Sequence, residues 1–307
     1  CGVLLAITPE HKVIKSARAP GAGQISERAA PFAMQPRFRT ISGVKVRYAE
    51  AGNPDGPLIL LLCPLPQSIL AFEPIWKPLS RRFRLLALDL PGFGRSEGGV
   101  EFMTFAAQGR FLRAFVDELE LDQFHVVAPD VGMAAALHYV IHGDHKATSL
   151  MIGDGPGIAP SHNGSVINKM VDSAFWRLVF RVAGAGAFVE AGNKLCYVNY
   201  SPCAEEVADY VASYAGRIGP ITQWFAKYPE GLATVDPHLA ELDLPVKVFW
   251  GETDQLLFVD NGKRLHERLK RSELTVFSNC GHFSYQDQAD EFAQMVIDWV
   301  DGGYRSV

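Results

Sequence analysis

The stretch His125-Val-Val-Ala-Pro-Asp-Val-Gly-Met-Ala-Ala-Ala136 decides how the chain is read. Four residues suited to a buried strand run into small-x-Asp-x-Gly (Ala128, Pro129, Asp130, Val131, Gly132) and then directly into an alanine-rich helix. A strand that turns into a helix within so few residues needs small neighbours, because the turn is too sharp for bulk. Asp130 would then project at the helix N-terminus, where the dipole and free N–H groups stabilise a carboxylate. A lone Asp before a helix is ordinarily a cap, so a chemical role for Asp130 depends on partners elsewhere.

Working outward, short apolar segments alternate with helical ones. Strands are expected at Leu58–Cys63, Leu85–Leu90, His125–Ala128, Ser149–Ile152, Val246–Trp250 and Leu274–Phe277, with a hairpin over Arg39–Tyr48 turning at Gly43. Helices are expected at Phe105–Leu119, Met133–Gly143, Asp260–Leu269 and Ala289–Val300. Repeated strand–helix units specify an α/β fold with a mostly parallel sheet and helices on both faces. Between Ile152 and Val246 the rhythm breaks. Helical periodicity over Val166–Val182, Ala204–Arg217 and Ile221–Phe225 exceeds the single crossover a sheet needs, so an inserted helical cap is expected over the C-terminal ends of the strands. The expected organisation is an N-terminal extension over 1–38, core over 39–155, cap over 156–238 and core again over 239–307.

Composition narrows the classes. The 307 residues carry 29 Lys+Arg against 34 Asp+Glu, a net charge of −5, and no basic stripe, which argues against nucleic acid. The 48% hydrophobic content suffices for a large core, while the longest apolar runs fall far short of a membrane span. Five cysteines, with no C-x-x-C pair, argue against a disulfide scaffold or a zinc site. The expected location is the cytoplasm, and Cys1 leaves a leader-processed or lipid-anchored form open.

Two later segments supply partners for Asp130. Phe249-Trp-Gly-Glu-Thr-Asp254 puts an acid just after one expected strand, and Asn279-Cys-Gly-His282 puts a histidine just after the next. Nucleophile, acid and histidine in that order, with the segment Asp89-Leu-Pro-Gly-Phe-Gly-Arg-Ser-Glu97, resemble the α/β-hydrolase fold superfamily from about residue 38 to the end. With Asp as nucleophile, the chain looks like the branch containing epoxide hydrolases and haloalkane and haloacid dehalogenases. The resemblance implies Asp130 as nucleophile, His282 as general base and Asp254 as orienting acid. Asp154, in Ile152-Gly-Asp-Gly, is the alternative acid. It also implies an oxyanion hole from the Val131 and Leu65 amides, and neither cofactor nor metal.

A carboxylate attacks an electrophilic carbon without a general base, leaving an alkyl ester that histidine-activated water hydrolyses. Two departures bear on the substrate. The oxyanion loop reads Cys63-Pro64-Leu65-Pro66 where relatives read His-Gly-x-Pro, and Val131 stands where dehalogenases commonly carry a halide-binding Trp. Epoxide hydrolases use cap tyrosines to protonate the opening ring oxygen, yet the corresponding places here hold Trp224-Phe225 and Phe175-Trp176. The remaining phenols of the cap, Tyr197, Tyr200, Tyr210 and Tyr214, are therefore expected to supply one hydroxyl above Asp130. The expected activity is hydrolysis of a small apolar epoxide. A dehalogenase with the same triad is the first alternative, and a non-hydrolytic lyase or ligand-binding member of the fold the second. Homodimerisation is left open.

Overall fold

The computed structural model describes residues 31–307; residues 1–30, including Cys1 and most of the expected extension, lie outside the described residues. Eight strands form one sheet in the order β1-β2-β4-β3-β5-β6-β7-β8. They are β1 (Arg37–Ile41), β2 (Val44–Gly52), β3 (Leu58–Leu62), β4 (Arg84–Leu88), β5 (Phe124–Pro129), β6 (Ala147–Gly153), β7 (Val246–Gly251) and β8 (Ser272–Phe277). β2 pairs antiparallel with both β1 and β4, and every later pairing is parallel. β3 and β5 sit centrally and are buried throughout, which is why they are apolar on both faces. The β1–β2 turn is Ser42-Gly43, both at positive φ (46° and 81°), the backbone hand that matches strand twist in a two-residue hairpin.

Helices α1 (Glu73–Ser80), α2 (Phe105–Glu118), α3 (Val131–Ile141), α8 (Asp260–Arg268), α9 (Ser284–Asp287) and α10 (Ala289–Val300) accompany the sheet. Between β6 and β7 come four more: α4 (Ser165–Asp172), α5 (Ala174–Cys196), α6 (Ala204–Tyr214) and α7 (Ile218–Val235). α5 is kinked at Gly184, whose φ of 81° lies in the left-handed region that glycine tolerates. α6 is bound to the sheet through charge. Arg47 on β2 donates from Nε to Asp89 at 2.6 Å and from both terminal nitrogens to Asp209 on α6 at 2.7 and 2.9 Å. Ahead of β1, the Ala33 and Met34 amides donate to the Glu73 carboxylate, and Met34 is buried in the core.

Two buried imidazoles make stability depend on pH. Burial, aided by Arg305, lowers the His125 pKa to about 4, and burial with His142, Arg110 and Arg113 lowers that of His138 to about 4. His125 holds Ser149 Oγ at 2.7 Å from Nδ1, and Trp299 donates to the same oxygen at 2.9 Å. An unfolded chain protonates these rings at their ordinary 6.5. The unfolded state therefore binds more protons between 6.5 and about 4, and stability contributed here falls as pH falls through that window. His125→Gln should lose less stability than the parent across that range, by on the order of 1 kcal/mol in urea titrations. Equal losses in both proteins would show that His125 is not held neutral.

Candidate active site

β5 passes into α3 at Asp130, whose φ of 47° and ψ of −125° are strained for a residue with a side chain. Such a conformation costs on the order of 1–3 kcal/mol and persists only where the surroundings impose it. Here they do. A Cβ at Gly132 would come within 2.9 Å of Leu62 Cβ, and one at Gly155 within 2.5 Å of the Asp130 carbonyl oxygen. Glycine at both positions lets the elbow close. The Asp130 amide donates to Gly153 O at 3.1 Å, and Asp130 O accepts from the Met133 amide at 3.1 Å.

The Asp130 carboxylate faces two donors. The Leu65 amide donates to Oδ1 at 2.7 Å, and His282 Nε2 lies 3.5 Å from Oδ2. Pro64 does not interfere, since the donor is the next residue. Val131 opens α3, so its amide is one of the first-turn N–H groups with no partner inside the helix. His282 is buried, and its Nδ1 is 2.7 Å from Asp254 Oδ2. Asp254 Oδ1 accepts from the Leu256 and Leu257 amides at 2.8 and 3.0 Å, which orients the carboxylate. The His282 amide donates to Cys196 O at 2.8 Å, tying the histidine loop to the end of α5. Burial works to lower the His282 pKa, but the carboxylates of Asp254 and Asp130 outweigh it and hold the imidazole well above its ordinary value.

Asp154 also follows a strand but points elsewhere. It accepts from the Gly251 amide at 3.0 Å and the Ser284 hydroxyl at 2.6 Å. Burial, with the Asp254 charge beside it, raises its pKa to about 8. Asp154 is thus pushed toward its neutral form, apart from the pair of His282 and Asp254.

A cavity opens over Asp130 between the sheet and helices α4, α5 and α7. Its walls include Leu65, Val131, Met170, Phe180, Phe188, Trp224 and Phe225, and among its lining residues the ionisable side chains are Asp130, His282 and Tyr228. No lysine or arginine lines it. The four tyrosines expected there are absent from its walls. Tyr197 donates to Gln286 Oε1 at 2.6 Å, Tyr200 to Glu206 at 2.7 Å and Tyr214 to the Gln67 carbonyl at 2.7 Å, while Tyr210 is 3.5 Å from Gln286 Nε2. Their hydroxyls are taken up in a polar network between α6, the oxyanion loop and α9. Phe175 and Trp176 are also displaced from expectation, because the first turn of α5 presents them to solvent.

Tyr228 was not expected. It lines the cavity and is buried, and its hydroxyl makes no hydrogen bond of ordinary geometry. Burial pushes the phenol pKa up, and the nearby Ser161 hydroxyl offsets part of that rise. In this stretch helix is expected only over Ile221–Phe225, short of Pro229, a residue type that ordinarily ends or kinks a helix. α7 nevertheless continues to Val235 with Pro229 inside it. Residues three and four apart share a helix face, so Tyr228 joins Trp224 and Phe225 on the cavity wall. Continuing the helical period past Pro229 would have found it.

Among the described residues, no group of three or more His, Cys, Asp or Glu side chains could hold a metal ion. Cys63, Cys196, Cys203 and Cys280 are free and buried, and among the described residues no helix is long and apolar enough to cross a membrane.

A family model described as the alpha/beta hydrolase fold matches residues 57–289. A 2-hydroxy-6-oxononadienedioate/2-hydroxy-6-oxononatrienedioate hydrolase of Klebsiella pneumoniae subsp. pneumoniae is 23% identical over 231 residues, covering 71% of this chain and 76% of that hydrolase. Among solved structures, a haloalkane dehalogenase loop variant from Bradyrhizobium elkanii superposes with a TM-score of 0.75 at 22% identity, over 89% of this chain and 98% of the other. Epoxide hydrolase CorEH superposes with a TM-score of 0.72 at 22% identity, over 86% and 98%.

Proposed function

The chain belongs to the alpha/beta hydrolase fold family, and within it we propose that it opens small apolar epoxides to diols through an ester on Asp130. The observation that carries this reading is the Tyr228 hydroxyl, buried and unpartnered in the cavity that also holds Asp130 and His282. Leaving a buried hydroxyl unpaired costs on the order of 1–3 kcal/mol, and a substrate oxygen would recover that cost.

In the first step Asp130 forms a bond to an oxirane carbon, the carbon–oxygen bond breaks, and the alkoxide takes the Tyr228 proton. The raised phenol pKa keeps that proton in place until the far more basic alkoxide develops. Ester formation removes the Asp130 charge, and with it part of what holds His282 protonated. The imidazole then gives its proton, through solvent, to the Tyr228 phenolate, which restores the phenol and leaves His282 able to act as a base. In the second step water gives a proton to His282 while its oxygen attacks the ester carbonyl. The Leu65 amide, already directed at Asp130 Oδ1, and the Val131 amide would hold the oxyanion. Collapse expels the alkoxide, which takes the proton of the newly formed carboxylic acid; the diol leaves, Asp130 is again a carboxylate, and His282 keeps the proton it took from water. Substrate plus water equals diol.

The apolar walls support an apolar substrate. The relative from Klebsiella is named for a dicarboxylate, and this cavity has no lysine or arginine to receive one. The dehalogenase alternative retains Trp224 in the cavity wall, but Trp176 is turned to solvent.

Tyr228→Phe should lower the rate of Asp130 alkylation by on the order of 10²-fold. It should leave thermal stability unchanged or slightly higher, since the lost hydroxyl makes no hydrogen bond of ordinary geometry among the described residues. Product analysis with halide release recorded in parallel completes the test. Diol without halide supports the reading, and halide with alcohol replaces it by dehalogenation. Full activity in Tyr228→Phe removes the proton donor proposed here.

A further inference from the structure

We infer that the outer face of the first half of α5 is a docking surface for an anionic phospholipid bilayer, lying in the headgroup layer without crossing it. Phe175, Leu178, Val179 and Val182 are spaced i, i+3, i+4 and i+7, the stripe that a helix of a globular protein turns toward its core. Here the stripe faces solvent. Val182 is 79% exposed, Phe175 66% and Leu178 56%, with Val179 and Trp176 also exposed. Ten large hydrophobic residues are exposed among the described residues, and these five fall within eight consecutive positions. Apolar side chains exposed singly need no explanation, whereas a contiguous cluster marks an interaction site.

Charge selects the occupant. Residues 173–189 contain Arg177 and Arg181 and no carboxylate, in a protein whose net charge is −5. Lys169 on α4 lies 5.0 Å over the Trp176 ring, adding a third cation, and Asp172 is the one acid of α4. The Arg177 guanidinium caps the Met170 and Val171 carbonyls at 2.9 Å, so its charge is held at the α4–α5 corner. An aromatic and aliphatic stripe flanked by Arg and Lys is the composition of a helix in the interfacial plane of an anionic membrane. α4 and α5 also carry Met170, Phe180 and Phe188 on the cavity wall. Docking would therefore set the apolar cavity one helix thickness from a lipid phase in which apolar substrates concentrate.

Trp176 is a built-in reporter, because Trp76, Trp224, Trp250 and Trp299 are buried. The experiment is co-sedimentation of the protein with vesicles of phosphatidylcholine, with and without phosphatidylglycerol, together with tryptophan emission. Binding to the anionic vesicles should exceed binding to neutral ones by about tenfold or more, fall with added salt, and shift the emission to the blue. Val182→Asp should weaken the partition by about tenfold or more. At 79% exposure this change removes little packing, which circular dichroism and an unchanged melting temperature would verify. Arg181→Glu should reduce the preference for anionic vesicles while leaving neutral binding as it was. Absence of partition into either vesicle overturns the inference. Equal binding to both vesicle types overturns its electrostatic half. A lipid-free dimer that shelters Trp176 and that Val182→Asp dissociates would give the face to a second copy of the chain instead.

Discussion

Replacing His282 by glutamine should lower turnover of an epoxide by on the order of 10³-fold or more while leaving the first chemical step intact. Attack by the Asp130 carboxylate needs no base, so the variant should still be alkylated. Hydrolysis of the ester needs Nε2 to take a proton from water, and glutamine has no basic nitrogen. The fold should tolerate the change. A Gln side chain can still donate an N–H to Asp254, whose carboxylate would otherwise be left buried and unpaired, the costly outcome for a charge with no partner. Mass spectrometry after brief exposure should find the substrate mass added to the peptide bearing Asp130. Normal turnover, or an adduct on any other peptide, would end the two-step mechanism.

Asp254→Asn should cost on the order of 10³–10⁴-fold in turnover. The Leu256 and Leu257 amides need an acceptor, and Asn Oδ1 can continue to serve them. That orientation turns the Asn N–H₂ toward His282 Nδ1, where a donor now meets the nitrogen that should itself donate. The imidazole would answer by carrying its proton on Nε2, the wrong tautomer for a base beside Asp130. Asp154→Asn should change turnover by less than about tenfold. Its carboxyl, with a pKa raised to about 8, is pushed toward the neutral form, and an amide reproduces its shape. Turnover measured for both variants decides the assignment, and the reverse ranking would move the orienting acid to the end of β6.

Local sequence determined the elements that depend on near neighbours. Leu58–Leu62 could only be a strand buried on both faces, since no solvent-facing position interrupts it. Gly132 could serve a tight elbow, because a Cβ there would come within 2.9 Å of Leu62 Cβ. The order Asp130, Asp254, His282, each at a strand end, was likewise legible, because parallel strands bring their C-terminal ends to one edge whatever the intervening chain does. The helical excess between β6 and β7 was legible, but not the orientation of its helices. Its helices carry apolar residues on more than one face, so periodicity alone could not say that Phe175 and Trp176 look outward while Trp224, Phe225 and Tyr228 look in. Nor could it say that Tyr197, Tyr200, Tyr210 and Tyr214 would spend their hydroxyls on Gln67, Gln286 and Glu206, partners up to 147 positions away. A phenol's role depends on whether its hydroxyl finds a protein acceptor. For Tyr228 that was decided by a helix continuing through Pro229, which tertiary packing of α7 against the core stabilised over the local preference to stop.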